Sequence, residues 1–123
     1  MRQYEEHDLL VINDWFRVRG HREMDADEVP RIGLVEPGVA AGFLYMTDSN
    51  LAFLENFVSN PDAPAREVSR AMDQIIEGLV EVAVDAGITK CFVFSKKRST
   101  IKKAENAGFN RQGTWEMLSM EVH

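Results

Sequence analysis

Six apolar residues, Val68, Met72, Ile75, Leu79, Val82 and Ala86, recur three or four positions apart, and Gly87 closes the series. Such a stripe is one face of a long amphipathic helix, which is stable only when it lies on another apolar surface. The flanking sequence predicts that surface. Upstream are three strand-like runs, Arg31 to Glu36, Val39 to Met46 and Leu51 to Val58, separated by Pro37-Gly38 and by Thr47-Asp48-Ser49-Asn50. Connections this short make antiparallel neighbours, so the runs predict a meander. Downstream, Lys90 to Ser95 is short, aromatic and β-branched and reads as a buried strand. Ser99 or Thr100 can cap a short helix through Ala107, with Gly108 at its C-terminal end. Apolar alternation in the tail, Thr114 to Val122, reads as a last strand, and Asp8 is placed to cap a first helix from about Leu9 to Arg19. This order predicts an α/β fold, a mixed, mostly antiparallel sheet with flanking helices.

At 123 residues the chain is expected to be a single domain spanning 1–123. A hydrophobic fraction of 45% with 28% charged residues excludes a disordered polymer. No apolar run approaches the roughly 20 residues of a membrane span, and the first residues carry acid where a secretory leader carries base, so a cytoplasmic location is expected. Cys91 is the only cysteine, and His7, His21 and His123 lack ligand spacing, so no metal site is expected. The net charge of -6 makes nucleic acid an unfavoured partner. That charge is unevenly spread. Residues 1–64 hold 5 basic and 12 acidic side chains, whereas Lys96, Lys97, Arg98, Lys102 and Lys103 cluster near the C-terminal end. A local cluster suits a small polyanion, or is simply a solvated helix start.

The segment from Ser59 to Ala71 reads as a loop that carries Arg66, Glu67, Val68, Ser69, Arg70 and Ala71 into the long helix. A strand-loop-helix junction aims backbone N–H groups and the positive end of a helix dipole at one spot. Ser69 and Ala71 are small enough for a ligand to approach the backbone, and Arg66 and Arg70 add charge. That is a recipe for binding pyrophosphate, although many ordinary helices begin with Ser and Arg.

Arg66-Glu67-Val68-Ser69-Arg70-Ala71 resembles the acyl-coenzyme A signature of the GNAT superfamily, the Gcn5-related N-acetyltransferases: Arg or Gln, two residues, Gly, one residue, then Gly or Ala. Ser69 stands in place of the first Gly. Val58-Ser59-Asn60-Pro61 is similar to the strand end that leads into that loop, and Ala104 to Phe109 resembles the family segment ending in Gly-Phe. The resemblance covers about Arg31 to Val122. It implies acetyl-CoA as co-substrate, with its pyrophosphate on the backbone of Arg66 to Ala71 and its pantetheine arm beside Phe57 and Val58. The acyl group then lies between the third meander strand and the Lys90–Ser95 strand. Many family members carry a Tyr, five residues before that Phe, that protonates the departing thiolate; here the position is Ala104.

For a general base the third meander strand offers Glu55, flanked by Leu54 and Phe57; partial desolvation there would raise its pKa towards a useful value. A solvent-facing strand residue is the plain alternative. Asn56 next to it can position a ligand but cannot be a base. The acidic run Asp25, Asp27 and Glu28 corresponds to a region that often lines the family's acceptor site, or is a solvated loop; Cys91 reads as core. The resemblance therefore implies direct acetyl transfer to a small-molecule or peptide amine, with a strand N–H stabilising the oxyanion. A non-catalytic acyl-CoA-binding or regulatory module of the same shape is the alternative, and a homodimer is left open.

Overall fold

Alternating side chains along the meander divide into two apolar sets, one for each face of a sheet, and this division organises the molecule. The computed structural model describes residues 1–122. β1 (Arg2–Gln3), β2 (Ile32–Glu36), β3 (Ala40–Met46), β4 (Leu51–Ser59) and β5 (Lys90–Val93) form one five-stranded sheet in that spatial order. β1 to β4 pair antiparallel, and β5 joins β4 in parallel after the crossover helix α2 (Ala65–Asp85). The α/β class and the mixed, mostly antiparallel sheet are as the pattern predicts. β1 is an addition, since two residues carry no readable period.

One face carries Ala40, Leu44, Ala52 and Leu54 against Ala71, Ile75, Ile76, Leu79 and Ala83 of α2. The predicted stripe is slightly rotated. Ile75 and Leu79 are fully buried, Met72 and Val82 lie at its margin, and Ile76 and Ala83 take the interior places. The opposite face packs Val35, Ala41, Phe43 and Val58 on Ile12, Trp15 and Phe16 of α1 (Leu9–Val18), with Met24. Each fully buried Leu, Ile or Phe contributes about 1.5–3 kcal/mol.

Asp8 does not cap α1 with its side chain. Its carboxylate accepts the Glu5 N–H at 2.8 Å and a two-pronged contact from Arg2 at 2.7 and 2.9 Å. Asp8 therefore ties β1 to the turn that starts α1, and Arg2 holds its carboxyl below the usual carboxylate range.

α2 starts at Ala65, with Pro64 as N-cap, so the connecting loop is only residues 60–64 and Arg66 to Ala71 are already helical. Proline fixes a φ suited to a helix start, and nothing between Arg66 and Ala71 breaks the helical pattern. α3 (Arg98–Asn106) follows β5. The expected last strand is not formed: residues 109–122 carry no regular structure, and Trp115, Met117, Leu118 and Met120 are 66–95% exposed. Alternation belongs to the segment alone. A strand also needs hydrogen-bond partners along an edge, and β5 is only four residues long.

β4 carries one residue more than β3 between matched pairs. Phe43 faces Glu55, but Ala41 faces Val58. The surplus is taken up at Asn56, whose φ of 58° is left-handed, so Leu54 and Phe57 both reach the α2 face although three positions apart. Gly42 lies opposite. A Cβ there would stand 2.7 Å from the Phe57 ring and 2.8 Å from Ile75. Gly42→Ala is expected to destabilise the fold by about 1–3 kcal/mol, the range for overpacking, in chemical denaturation. An unchanged midpoint would show that Phe57 has another place to go.

Candidate functional site

Pairing between β4 and β5 ends at Leu54 and Val93, while β4 runs on to Ser59. Beyond that point the strands diverge. A cavity of about 440 Å³ fills the opening, lined by Phe57, Val58 and Ser59 of β4, Met72 of α2, Lys97 and Thr100 at the start of α3, and Arg19 and His21 beyond α1. Phe57 and Met72 belong to the α2 face and Val58 to the α1 face, so the cavity crosses the sheet as a slot. Along it, the side of β4 that turns away from β3 has no β5 partner. Unpaired strand N–H and C=O groups are what an extended amide-bearing arm can bind.

Phe57 and Val58, expected beside such an arm, both line the slot. Arg66, Glu67, Val68, Ser69, Arg70 and Ala71 lie next to it in the first two turns of α2, and none lines the cavity itself. Their backbone role is narrower than a loop would give. Val68 N–H already donates to the Pro64 carbonyl at 3.1 Å, so the open donors of the helix start are Ala65, Arg66 and Glu67. Ser69 is engaged elsewhere: Lys103 Nζ donates to its carbonyl at 3.0 Å and its hydroxyl at 2.8 Å, and pairs with Asp73 at 2.9 Å. Ala71 is buried under the sheet. Arg66 and Arg70 in the first turns of α2, and Lys97, Arg98 and Lys102 at the start of α3, are exposed, and of these Lys97 lines the cavity.

Glu55 lies just past the last β4–β5 pair, on the α1 face. It is half-buried, its carboxylate accepts the Phe94 backbone N–H, and burial raises its pKa above the usual glutamate value in spite of that bond. It shares this face with Tyr45 and Phe53, which pair across β3 and β4. Asn56 Nδ2 donates to the Tyr45 hydroxyl, and burial keeps the phenol protonated to higher pH than usual. Sequence separation hid Tyr45; only the register of β3 on β4 places it near Glu55. Arg19 was equally invisible. Its guanidinium donates to the Ser59 carbonyl at 3.0 Å and hydroxyl at 2.7 Å at the far end of the slot.

Ala104, where the resemblance expects a phenol, is buried, and no side chain as large as Tyr fits there without repacking. Two residues of the acidic run are engaged: both Glu28 oxygens take Arg22 at 2.7 Å, and Glu28 accepts the Asp25 N–H at 3.1 Å in a capping box, while Asp27 stays exposed. Cys91 packs against the α2 core, and burial pushes its thiol up. Among the described residues no cluster of three His, Cys, Asp or Glu is placed for a metal, and no helix is long and apolar enough to cross a membrane.

The raised pKa of Glu55 has a stability consequence. Its contribution is fully present below the unfolded value near 4 and is lost as pH rises through the folded value. Glu55→Gln keeps an acceptor for Phe94 N–H and never ionises. The variant is expected to match wild type in melting temperature near pH 4 and to exceed it near pH 8. Lower stability of Glu55→Gln at pH 8 would show that the ionised carboxylate is favoured where it sits.

No protein-family model and no curated protein sequence matches the chain. Solved structures do. A Mycobacterium tuberculosis protein in complex with CoA superposes with a TM-score of 0.69 at 18% identity, over 94% of this chain and 75% of that one. An acetyltransferase from Trypanosoma brucei gives 0.66 at 15% identity over 97% of each chain. A Clostridium acetobutylicum protein solved with acetyl-CoA gives 0.63 at 13% identity, over 96% and 94%. At such identities the likeness is one of fold alone, and the fold of the chain is GNAT-like.

Proposed function

We propose that this chain binds acetyl-CoA through the slot between β4 and β5 and transfers the acetyl group to an amine, with Glu55 as general base. The observation that carries this reading is the slot itself, which lies between two helix starts, with the half-buried carboxylate of Glu55 on β4 two residues before the slot-lining Phe57. A volume of about 440 Å³ suits an extended arm and thioester rather than a whole coenzyme. The phosphates then lie outside the cavity, against Arg66, Arg70, Lys97 and the first N–H groups of α2 and α3. Glu67 at the start of α2 opposes an anion there, which makes the arginines the more important partners.

In the reaction, Glu55 takes a proton from the bound ammonium. The free amine attacks the thioester carbonyl, and a β4 backbone N–H facing the slot, at Phe57 or Val58, stabilises the oxyanion. The C–N bond forms, the C–S bond breaks, and the thiolate takes its proton from water, since Ala104 supplies none. A second reading, a binding module without chemistry, draws its support from the buried Ala104 and from the commitment of the Tyr45 hydroxyl to Asn56.

Acetyl-CoA is expected to raise the melting temperature by mass action. Arg66→Ala is expected to weaken binding by about 1.5–3 kcal/mol, the worth of a charge-assisted hydrogen bond. Calorimetry without heat at millimolar coenzyme would remove the binding reading altogether. For the chemistry, Glu55→Gln is expected to lower thiol release about a hundredfold or more, with coenzyme affinity unchanged. Wild-type rate should rise with pH through the raised pKa of Glu55. Full activity in Glu55→Gln would take this residue out of the mechanism.

A further inference from the structure

The face of the sheet that carries Glu55 is only partly covered by α1. Phe43 and Val58 lie beneath that helix, whereas Phe53, Phe92 and Phe94 belong to neither apolar cluster. Ala52, Leu54, Cys91 and Val93 point to the α2 side, so the alternate residues Phe53, Phe92 and Phe94 share the opposite face. Their rings form a strip. Phe53 and Phe92 have centroids 5.6 Å apart at 27°, and Phe53 and Phe94 are 6.0 Å apart at 21°. Phe94 is 50% exposed. Tyr45 extends the row on β3, and Glu55 stands two residues beyond Phe53, about 7 Å along the strand.

From this juxtaposition, and resting on the acyl-transfer reading above, we infer that the acceptor is a monocationic organic amine with an apolar arm, seated on the Phe53–Phe92–Phe94 strip with its ammonium at Glu55. Aromatic faces attract an ammonium that lies within about 6 Å of a ring centroid. The strip also takes up the arm by apolar contact, and a carboxylate in such surroundings pairs strongly with a charge that shares its desolvation. The same residues disfavour a polycation. Glu55 is the carboxylate of this surface; in the neighbouring loop Glu28 and Asp25 are held by Arg22 and by the capping box, and Asp27 is exposed. A polyamine or an aminoglycoside would place its further charges over the apolar strip, where Phe53, Phe92 and Phe94 offer no carboxylate. The arm length follows from the 7 Å offset: two or three carbons separate the nitrogen from an aryl or branched alkyl end.

The test has a binding arm and a turnover arm. Choline and its neutral isostere 3,3-dimethyl-1-butanol are titrated into the full chain, with CoA present, and followed by saturation-transfer NMR. The platform predicts that choline binds several-fold to thirtyfold more tightly than the isostere. Phe94→Ala should lose most of that preference, and Phe94→Trp should keep or strengthen it. In turnover, phenethylamine should exceed spermidine and kanamycin in kcat/KM by at least tenfold, and Phe94→Ala should raise KM for phenethylamine while leaving coenzyme affinity unchanged. Equal binding of the cation and the isostere, or no binding of either, overturns the platform. So does thiol release with spermidine at the phenethylamine level, and that result leaves acyl transfer standing. Selective choline binding without thiol release from any amine overturns acyl transfer and leaves the ammonium platform in place.

Discussion

One surplus residue in β4 sets the geometry of the site. Asn56 takes a left-handed conformation just after Leu54, the last β4 residue paired with β5, so the bulge falls where β4 runs on without that partner. The bulge has three effects together. It sends Phe57 to the α2 face and Val58 to the α1 face, so that the slot is walled from both sides. It leaves Glu55 at the point of divergence, where the Phe94 N–H can reach its carboxylate. It brings the Asn56 amide to the Tyr45 hydroxyl. Gly42 makes the bulge affordable sterically, because no side chain opposite it competes with Phe57.

The two sides of the slot have different chemistry. On the α2 and α3 side the surface is cationic and exposed, with open helix starts, which suits phosphate groups held at the rim and not buried. On the α1 side Val58, Arg19 and His21 line the slot, and the aromatic strip with Glu55 lies further along the same face of the sheet. A substrate bridging the two halves meets polar recognition at one end and a desolvated reacting centre at the other, so proton transfer occurs where charge is least screened. Lys103 stands apart from this division. It fastens the last turn of α3 to α2 through Ser69 and Asp73.

Much of this was legible in the sequence, for identifiable reasons. The α2 stripe and the meander turns are local signals of period and turn chemistry, and they mark α2 and the antiparallel run β2, β3 and β4. Glu55 was visible as a carboxylate flanked by apolar residues on a strand. The helical state of Arg66 to Ala71 was not, because a ligand-binding loop and a Pro-started helix share the same small and charged residues. The tail was misread because Trp115, Met117 and Met120 alternate correctly, yet pairing is decided by an edge elsewhere in the chain. Tyr45, Arg19 and the phenylalanine strip depend on cross-strand register, and one surplus residue in β4 changes which side chains meet.

The central claim is that the divergence of β4 from β5 is a binding slot. Amide chemical-shift mapping with acetyl-CoA tests it most directly. Perturbations confined to residues 55–59, 65–72 and 97–100, with the largest at Phe57 and Val58, are the predicted result. A saturable response centred elsewhere, or shifts spread over the basic surface without those at Phe57 and Val58, would contradict it.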